Sequence, residues 1–250
     1  MKKPAFLRGK RNIIISIIIL VLVFSLVSIL VLSSDTIENV VDTIKIKPLD
    51  NRIIVIDPGH GGIDGGTNYG DILEKNINLE VSMRLKDLLV KKGARVVMTR
   101  EVDDSLDDHI VGNGSRHRED LSTRVRIINE NKADLFISLH VNYSKNEKKL
   151  GPIVFYHESR SDNKYLAEHM QKFLHEISAY KKMDLNHKHN VMSGNYYIAG
   201  NTQTPGIIIE MGFISNQIDR KLLLDSEHQS EIVEKITKGI ISYFIEPQND

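Results

Sequence analysis

The chain has 250 residues, with 33 Lys plus Arg balanced by 33 Asp plus Glu, and no cysteine. A formal net charge of zero argues against nucleic acid as a partner, because phosphate binding needs a basic excess or stripe. Without cysteine there are no disulfides and no thiolate zinc sites, so any metal must be held by His and carboxylate ligands.

Residues 1–12 are short and basic, with Lys2, Lys3, Arg8, Lys10 and Arg11. The uncharged run from Ile13 to Leu32 follows. At about 1.5 Å per residue, a helix of this length spans the roughly 30 Å of a bilayer core. Residues 13–32 are therefore expected to be a transmembrane anchor, with the basic end cytoplasmic and the rest of the chain outside. A cleaved signal segment ending near Ser33, which would release a secreted protein, is the alternative. Residues 33–50 are polar and mixed and read as a stalk, 51–246 as the single folded domain, and 247–250 as a tail.

In the domain, short β-branched runs suit strands buried on both faces: Ile53–Ile56, Val96–Met98, Leu135–Leu139, Ile153–Tyr156 and Ile207–Ile209. Helical spacing lies between them. Ile77, Val81, Leu85 and Leu88 mark one helix, with Gly93 as the residue beyond its end. Ser122 is expected to cap a helix through Ile127 and Ile128. Leu166, Met170, Phe173, Leu174 and Ile177 mark a third, and Ile232, Ile236, Ile240 and Ile241 a last one. Alternating strands and helices predict an α/β domain with a mostly parallel sheet covered by helices.

Ligands in such sheets collect beyond the carboxyl ends of strands. The first strand run leads into Asp57-Pro58-Gly59-His60-Gly61-Gly62, the third into His140 and Asn142, and the last into Glu210. Three strands thus bring His, His and Glu to one edge, and Glu74, opening the first helix, is within reach of it. Two imidazoles and a carboxylate are a common catalytic zinc set that leaves a position for water. Glu210, after three isoleucines, is the candidate acid/base, since burial raises a carboxyl toward the working range. Taken singly, each has an ordinary alternative: a loop or capping His, a solvated Glu74, a strand-end ion pair for Glu210. Asn78 and Asn142 are candidates for orienting ligands. The remaining histidines, including His109, His117, His169, His187 and His228, carry no motif and are expected mostly at the surface. Lys145, Lys148 and Lys149 read as a solvated loop.

Several segments, in order, resemble the zinc-dependent N-acetylmuramoyl-L-alanine amidases (amidase type 3). They are Ile56-Asp57-Pro58-Gly59-His60-Gly61-Gly62 with Asp64-Gly65-Gly66 and Glu74, then Thr99-Arg100, then Leu121-Ser122-Thr123-Arg124. Ser138-Leu139-His140-Val141-Asn142 and Glu210-Met211-Gly212-Phe213-Ile214-Ser215-Asn216 complete the set. The resemblance implies a phosphorylase/hydrolase-like α/β sandwich, zinc held by His60, Glu74 and His140, and Glu210 as catalytic acid/base. The implied reaction is hydrolysis of the amide between N-acetylmuramic acid and L-alanine in peptidoglycan. The anchored layout and Ala199-Gly200-Asn201-Thr202-Gln203-Thr204-Pro205 resemble the germination-specific amidases of spore-forming Firmicutes. That subgroup implies spore cortex peptidoglycan as substrate, formation of muramic-δ-lactam and a polysaccharide deacetylase acting next; because such an enzyme endangers a growing wall, a regulatory protein controlling metal loading or access is a separate expectation. Its setting is the extracytoplasmic side of a membrane, between forespore and mother cell. A non-catalytic wall-binding regulator and another metal-dependent peptidoglycan hydrolase are the competing expectations.

Overall fold

A computed structural model describes residue 25 and residues 47–107 and 115–246. The expected anchor at 13–32 lies outside the described residues except for Ser25; among the described residues no helix is long and apolar enough to cross a membrane. The tail at 247–250 and His109 also lie outside them.

Eight strands and seven helices alternate through the described part of the domain. In chain order they are β1 (Ile53–Pro58), β2 (Asn68–Tyr69), β3 (Ile72–Leu73), α1 (Glu74–Lys91), β4 (Arg95–Met98), α2 (Arg116–Glu130) and β5 (Leu135–Asn142). Then follow β6 (Ile153–Tyr156), α3 (Ser161–Leu174), α4 (Ser178–Lys182), β7 (Met192–Ser193), α5 (Tyr197–Asn201), β8 (Gly206–Phe213), α6 (Gln217–Leu223) and α7 (Ser226–Ile245). All five expected strands are present. The two-residue strands β2, β3 and β7 escape sequence reading because they are too short to show a period.

The main sheet has the order β4-β1-β5-β8-β6-β7. β4, β1, β5 and β8 run parallel, and β6 turns antiparallel to β8. Strand alternation sorts the apolar side chains onto two faces. Ile54, Ile56, Leu135, Ile137, Leu139, Ile207 and Ile209 pack against α1, α3 and α7 through Leu85, Met170 and Ile236. Val55, Phe136 and Ile208 pack on the other face against Ile128 of α2 and Ile198 of α5. The sheet is therefore covered on both sides, and this forces its central strands to be apolar throughout. Leu49 joins the same core, so packing begins upstream of Asn51.

Two helix boundaries differ from expectation. Ser122 does not cap α2. Ser115 does, accepting a hydrogen bond from the Arg118 amide at 3.3 Å, while the Ser122 hydroxyl donates back to the Arg118 carbonyl inside the helix at 2.8 Å. A serine that satisfies its hydroxyl this way is compatible with a helix interior. Ile177 is not the end of α3 but the residue that starts α4, yet it remains in the core.

Several histidines expected at the surface are buried instead, among them His169, His187 and His228. His187 stacks on Tyr180 with centroids 4.7 Å apart and 16° between planes. It therefore packs in the interior. Both ring nitrogens of buried His228 lack a hydrogen-bond partner among the described residues. Burial holds its pKa down to about 4, against the attraction of Glu231 and Asp225.

Two stability predictions follow from buried charge. The folded-state pKa of His228 lies below its ordinary 6.5, so on acidification the unfolded chain takes up that proton first. Stability should fall as pH drops from about 6.5 to about 4, by up to about 3 kcal/mol. Urea unfolding across this range should show that loss, and His228→Leu should flatten it; an unchanged slope in the variant refutes the assignment. The second concerns Arg124, 1% exposed, whose Nη1 lies 2.6 Å from the fully buried Asp57 carboxylate. Arg124→Met leaves that carboxylate unpaired and should cost about 3–5 kcal/mol, read as a lower urea midpoint.

Candidate metal centre

β1 and β5 pair with Asp57 opposite Ser138, and β5 and β8 pair with His140 opposite Glu210. This register sets His140 and Glu210 side by side on neighbouring central strands. The ladder shifts between His140 and Asn142, where the two strands end. His60 arrives from the turn after β1, and Glu74 from the first residue of α1.

One ligand atom from each of His60, Glu74 and His140 lies within 4.8 Å of the others. Glu74 Oε1 is 3.2 Å from His60 Nε2 and 2.9 Å from His140 Nδ1. The two rings stand edge to face, 5.0 Å apart at an interplanar angle of 81°. On its far side, His60 Nδ1 meets Asp64 Oδ2 at 2.8 Å. Asp64 thus holds the ring from the side away from Glu74, the arrangement by which carboxylates orient metal-binding histidines. In the sequence Asp64 stands out only as part of the motif, and its spacing of four from His60 is the signal that marks it.

Glu74 is nearly fully buried yet well supplied with donors. Oε1 accepts from the Val141 amide at 3.0 Å and from Asn78 Nδ2 at 3.3 Å, and Oε2 from the Thr67 amide at 2.8 Å. Burial pushes its carboxyl up, but hydrogen bonds from His140 and His60 outweigh that and hold it well below the usual carboxylate range. For His60, burial pulls the imidazole down, and Glu74 followed by Asp64 raises it to about 9. Asn78 therefore does touch a candidate ligand, as expected. Asn142 does not: its side chain accepts from the Tyr143 amide and its carbonyl from the Ile214 amide.

Glu210 contrasts with Glu74. Its Oε2 is buried without a hydrogen-bond partner among the described residues. Burial pushes its pKa up to about 7; the attraction of His140 opposes this and the charge of Glu74 adds to it. A buried carboxyl left unpartnered beside a cluster of candidate ligands fits a group kept for proton transfer. Tyr196, not singled out from sequence, lies within the field of Glu210. Burial and that charge push its phenol up to about 12.

The His60 turn is fixed from behind. Arg124 donates to Asp57 Oδ1 at 2.6 Å, to the Pro58 carbonyl at 2.8 Å and to the His60 carbonyl at 2.8 Å. Arg100 donates to the Pro58 and Gly59 carbonyls, each at 3.0 Å. Thr99 and Ser138 hydroxyls each donate to Asp57 at 2.6 Å. The Thr99-Arg100 and Leu121–Arg124 segments thus hold the turn that presents His60. The turn also opens on a cavity of about 590 Å³ lined by His60, Asp64, Ser105, Asp107, Arg116 and His117.

The residues present fit a divalent ion such as zinc: two imidazoles, one ionised carboxylate and a supporting Asp64 are the donor chemistry zinc takes. The fit depends on close approach at Gly59. A Cβ there would sit 2.2 Å from His140 Cε1 and 2.4 Å from Nε2. Gly66, at φ 66°, is equally confined, since its Cβ would meet Glu74 Oε2 at 2.6 Å. Gly59→Ala should therefore displace the His140 ring and weaken zinc binding by at least about tenfold. Zinc titration against a chromogenic chelator measures this, with circular dichroism confirming the fold; wild-type affinity in a folded variant contradicts it.

The N-acetylmuramoyl-L-alanine amidase family matches this chain over residues 54–242. The germination-specific N-acetylmuramoyl-L-alanine amidase of Bacillus subtilis (strain 168) is 38% identical over 200 residues, 80% of this chain and 82% of that protein. A probable cell wall amidase, LytH, of Staphylococcus saprophyticus is 32% identical over 205 residues, 80% of this chain and 61% of its own. Among solved structures, the CwlD amidase from Clostridioides difficile in complex with the GerS lipoprotein is 32% identical. It superposes with a TM-score of 0.69 over 78% of this chain and 98% of that one. These matches cover the sheet, the flanking helices and every segment that builds the candidate centre, and the chain belongs to the N-acetylmuramoyl-L-alanine amidase family.

Proposed function

We propose that the chain is a zinc-dependent amidase that cleaves the bond between the lactyl group of N-acetylmuramic acid and L-alanine in peptidoglycan. His60, Glu74 and His140 hold the ion, and Glu210 is the acid/base. The observation that carries this reading is the meeting of three ligand atoms beside the buried, unpartnered Glu210. A zinc ion there supplies a Lewis acid for the amide carbonyl and lowers the pKa of a water to about 7. Asp64 orients His60, and Asn78 orients Glu74. Glu210, with a pKa of about 7, accepts a proton from the attacking water at neutral pH and returns it to the departing amine of L-alanine.

The likeness to a germination-specific amidase supports a role in spore cortex. There, removal of the stem leaves muramic acid free for conversion to muramic-δ-lactam, with a polysaccharide deacetylase acting next. The complex of the Clostridioides difficile relative with a lipoprotein supports a protein partner that controls metal loading or access. In this reading residues 13–32 tether the chain to a membrane with the catalytic domain on the extracytoplasmic side, between forespore and mother cell.

Incubating the zinc-loaded full-length protein with cortex peptidoglycan should release stem peptides beginning with L-alanine, identified by mass spectrometry. Deacetylated sugars bearing intact stems would overturn the assignment. Glu210→Gln should keep its zinc while turnover falls by about 10²–10⁴-fold. Normal hydrolysis by that variant would remove Glu210 from its role.

A further inference from the structure

A second cavity, of about 700 Å³, is lined by Tyr69, Glu147, Lys148, Ser215, Asn216 and Arg220, among others. Its walls come from the three segments that flank the candidate centre. Tyr69 is in the β2–β3 hairpin that leads into Glu74. Glu147 and Lys148 follow the end of β5, which carries His140. Ser215 and Asn216 follow the end of β8, which carries Glu210. The loops are tied together by the Ser144 amide donating to Ser215 Oγ at 3.1 Å and Asn216 Nδ2 donating to the Glu147 carbonyl at 2.6 Å. The cavity therefore opens on the same carboxyl edge of the sheet as the centre. Its size suits a short peptide segment.

Arg220 gives the cavity its chemistry. Its guanidinium lies over the Tyr69 ring, 3.5 Å from the centroid. Nη1 is used, donating to the Ile214 carbonyl at 2.7 Å and the Ser215 carbonyl at 3.4 Å. These bonds fix the plane of the guanidinium and leave Nη2 and Nε without a hydrogen bond among the described residues. Its sequence neighbour Asp219 cannot neutralise it. That carboxylate is fully buried and accepts from the Phe213 amide, the Gly151 amide and the Tyr180 hydroxyl. Among the lining side chains, Arg220 and Lys148 oppose the one carboxylate of Glu147. A guanidinium held flat on an aromatic ring, with an unused edge, is suited to a planar carboxylate.

We propose that Arg220 and this cavity form a subsite for a carboxylate of the stem peptide, on the side of the scissile bond that leaves with L-alanine. The proposal rests on the amidase reading above and adds to it which part of the substrate lies where. The glycan side offers Arg220 no charge, because N-acetylated sugars are neutral and the lactyl carboxyl is consumed in the amide being cleaved. The stem does: a γ-linked glutamate after L-alanine keeps its α-carboxylate free. That carboxylate is one residue beyond the scissile amide, and the cavity is bordered by the loops that follow the strands carrying His140 and Glu210. The cavity beside His60 is then left for the glycan.

Two muropeptides distinguish the outcomes, one with a free α-carboxylate on the second stem residue and one with that carboxylate amidated. The zinc-loaded full-length protein should cleave the free-acid substrate with a KM lower by about tenfold to a hundredfold, the range of one charge-assisted hydrogen-bonded pair. In Arg220→Gln the KM ratio should collapse to within about twofold, and in Arg220→Lys it should recover in part. A wild-type enzyme with no preference overturns the subsite whether or not the variants fold, and so does an unchanged ratio in Arg220→Gln. Failure of the wild type to cleave either substrate overturns the amidase reading, and the subsite with it.

Discussion

The Asp57–Arg124 ion pair is the constraint from which the rest of the centre is built. Asp57 closes the apolar run of β1, where no solvent reaches its carboxylate. Burial alone would keep it protonated, yet its pKa is lowered to about 2, because Arg124 supplies charge and Ser138 and Thr99 supply hydroxyl donors. Those donors come from α2, β5 and the end of β4, so one carboxylate fastens β1 to both neighbouring strands and to a covering helix. Such pairs add little net stability, since desolvation offsets most of the attraction, but removing one partner leaves a buried charge with no compensation. The pair therefore constrains geometry more than it stabilises. Arg124 continues past Asp57 to the Pro58 and His60 carbonyls, and this carries the constraint from the sheet to the first candidate ligand.

The constraint has work to do because His60 sits at φ 61°. A residue with a Cβ enters the left-handed region at a cost of roughly 1–2 kcal/mol and stays there only where its surroundings require it. Arg124 and Arg100 hold the carbonyls on both sides of that strained residue, and Asp64 holds its ring. Strain, two buried guanidiniums and the Asp64 carboxylate together aim one imidazole nitrogen at Glu74.

Much of this was legible in the sequence, for a physical reason. The five longer strands are apolar on both faces, so their runs announce themselves, and the residues after β1 and in the carboxyl-terminal halves of β5 and β8 fall toward one edge by topology alone. His60, Glu74, His140 and Glu210 are brought together as that argument required. What was not legible depends on partners distant in sequence. Thr99, Arg100 and Arg124 read as motif fragments, and nothing local says that their side chains converge on Asp57 and the turn after it. Ser122 reads as the cap of α2 because it directly precedes the apolar spacing, whereas the helix begins earlier, at Arg116, and Ser115 receives the Arg118 amide. His187 and His228 read as surface residues because histidine is amphipathic, whereas the packing of α4 against α7 encloses them with Tyr180. Arg220 stayed invisible for the same reason, since its stacking partner Tyr69 precedes the helix that carries the second ligand.

Two glutamates a short distance apart end in opposite electrostatic states, and the backbone decides which is which. Glu74 receives amide donors from Thr67 and Val141 as well as the two histidines, so ionisation is favoured even in a buried position. Glu210 is presented from the middle of β8, where the backbone groups nearest to it are already committed to the sheet ladder with β5 and β6. Its Oε2 receives no hydrogen bond among the described residues, and burial acts on it against the attraction of the imidazoles. From the start of α1 Glu74 reaches the amides of Thr67 and Val141, whereas Glu210, within β8, has no donor at Oε2, so one carboxyl is held ionised and the other is poised near neutrality.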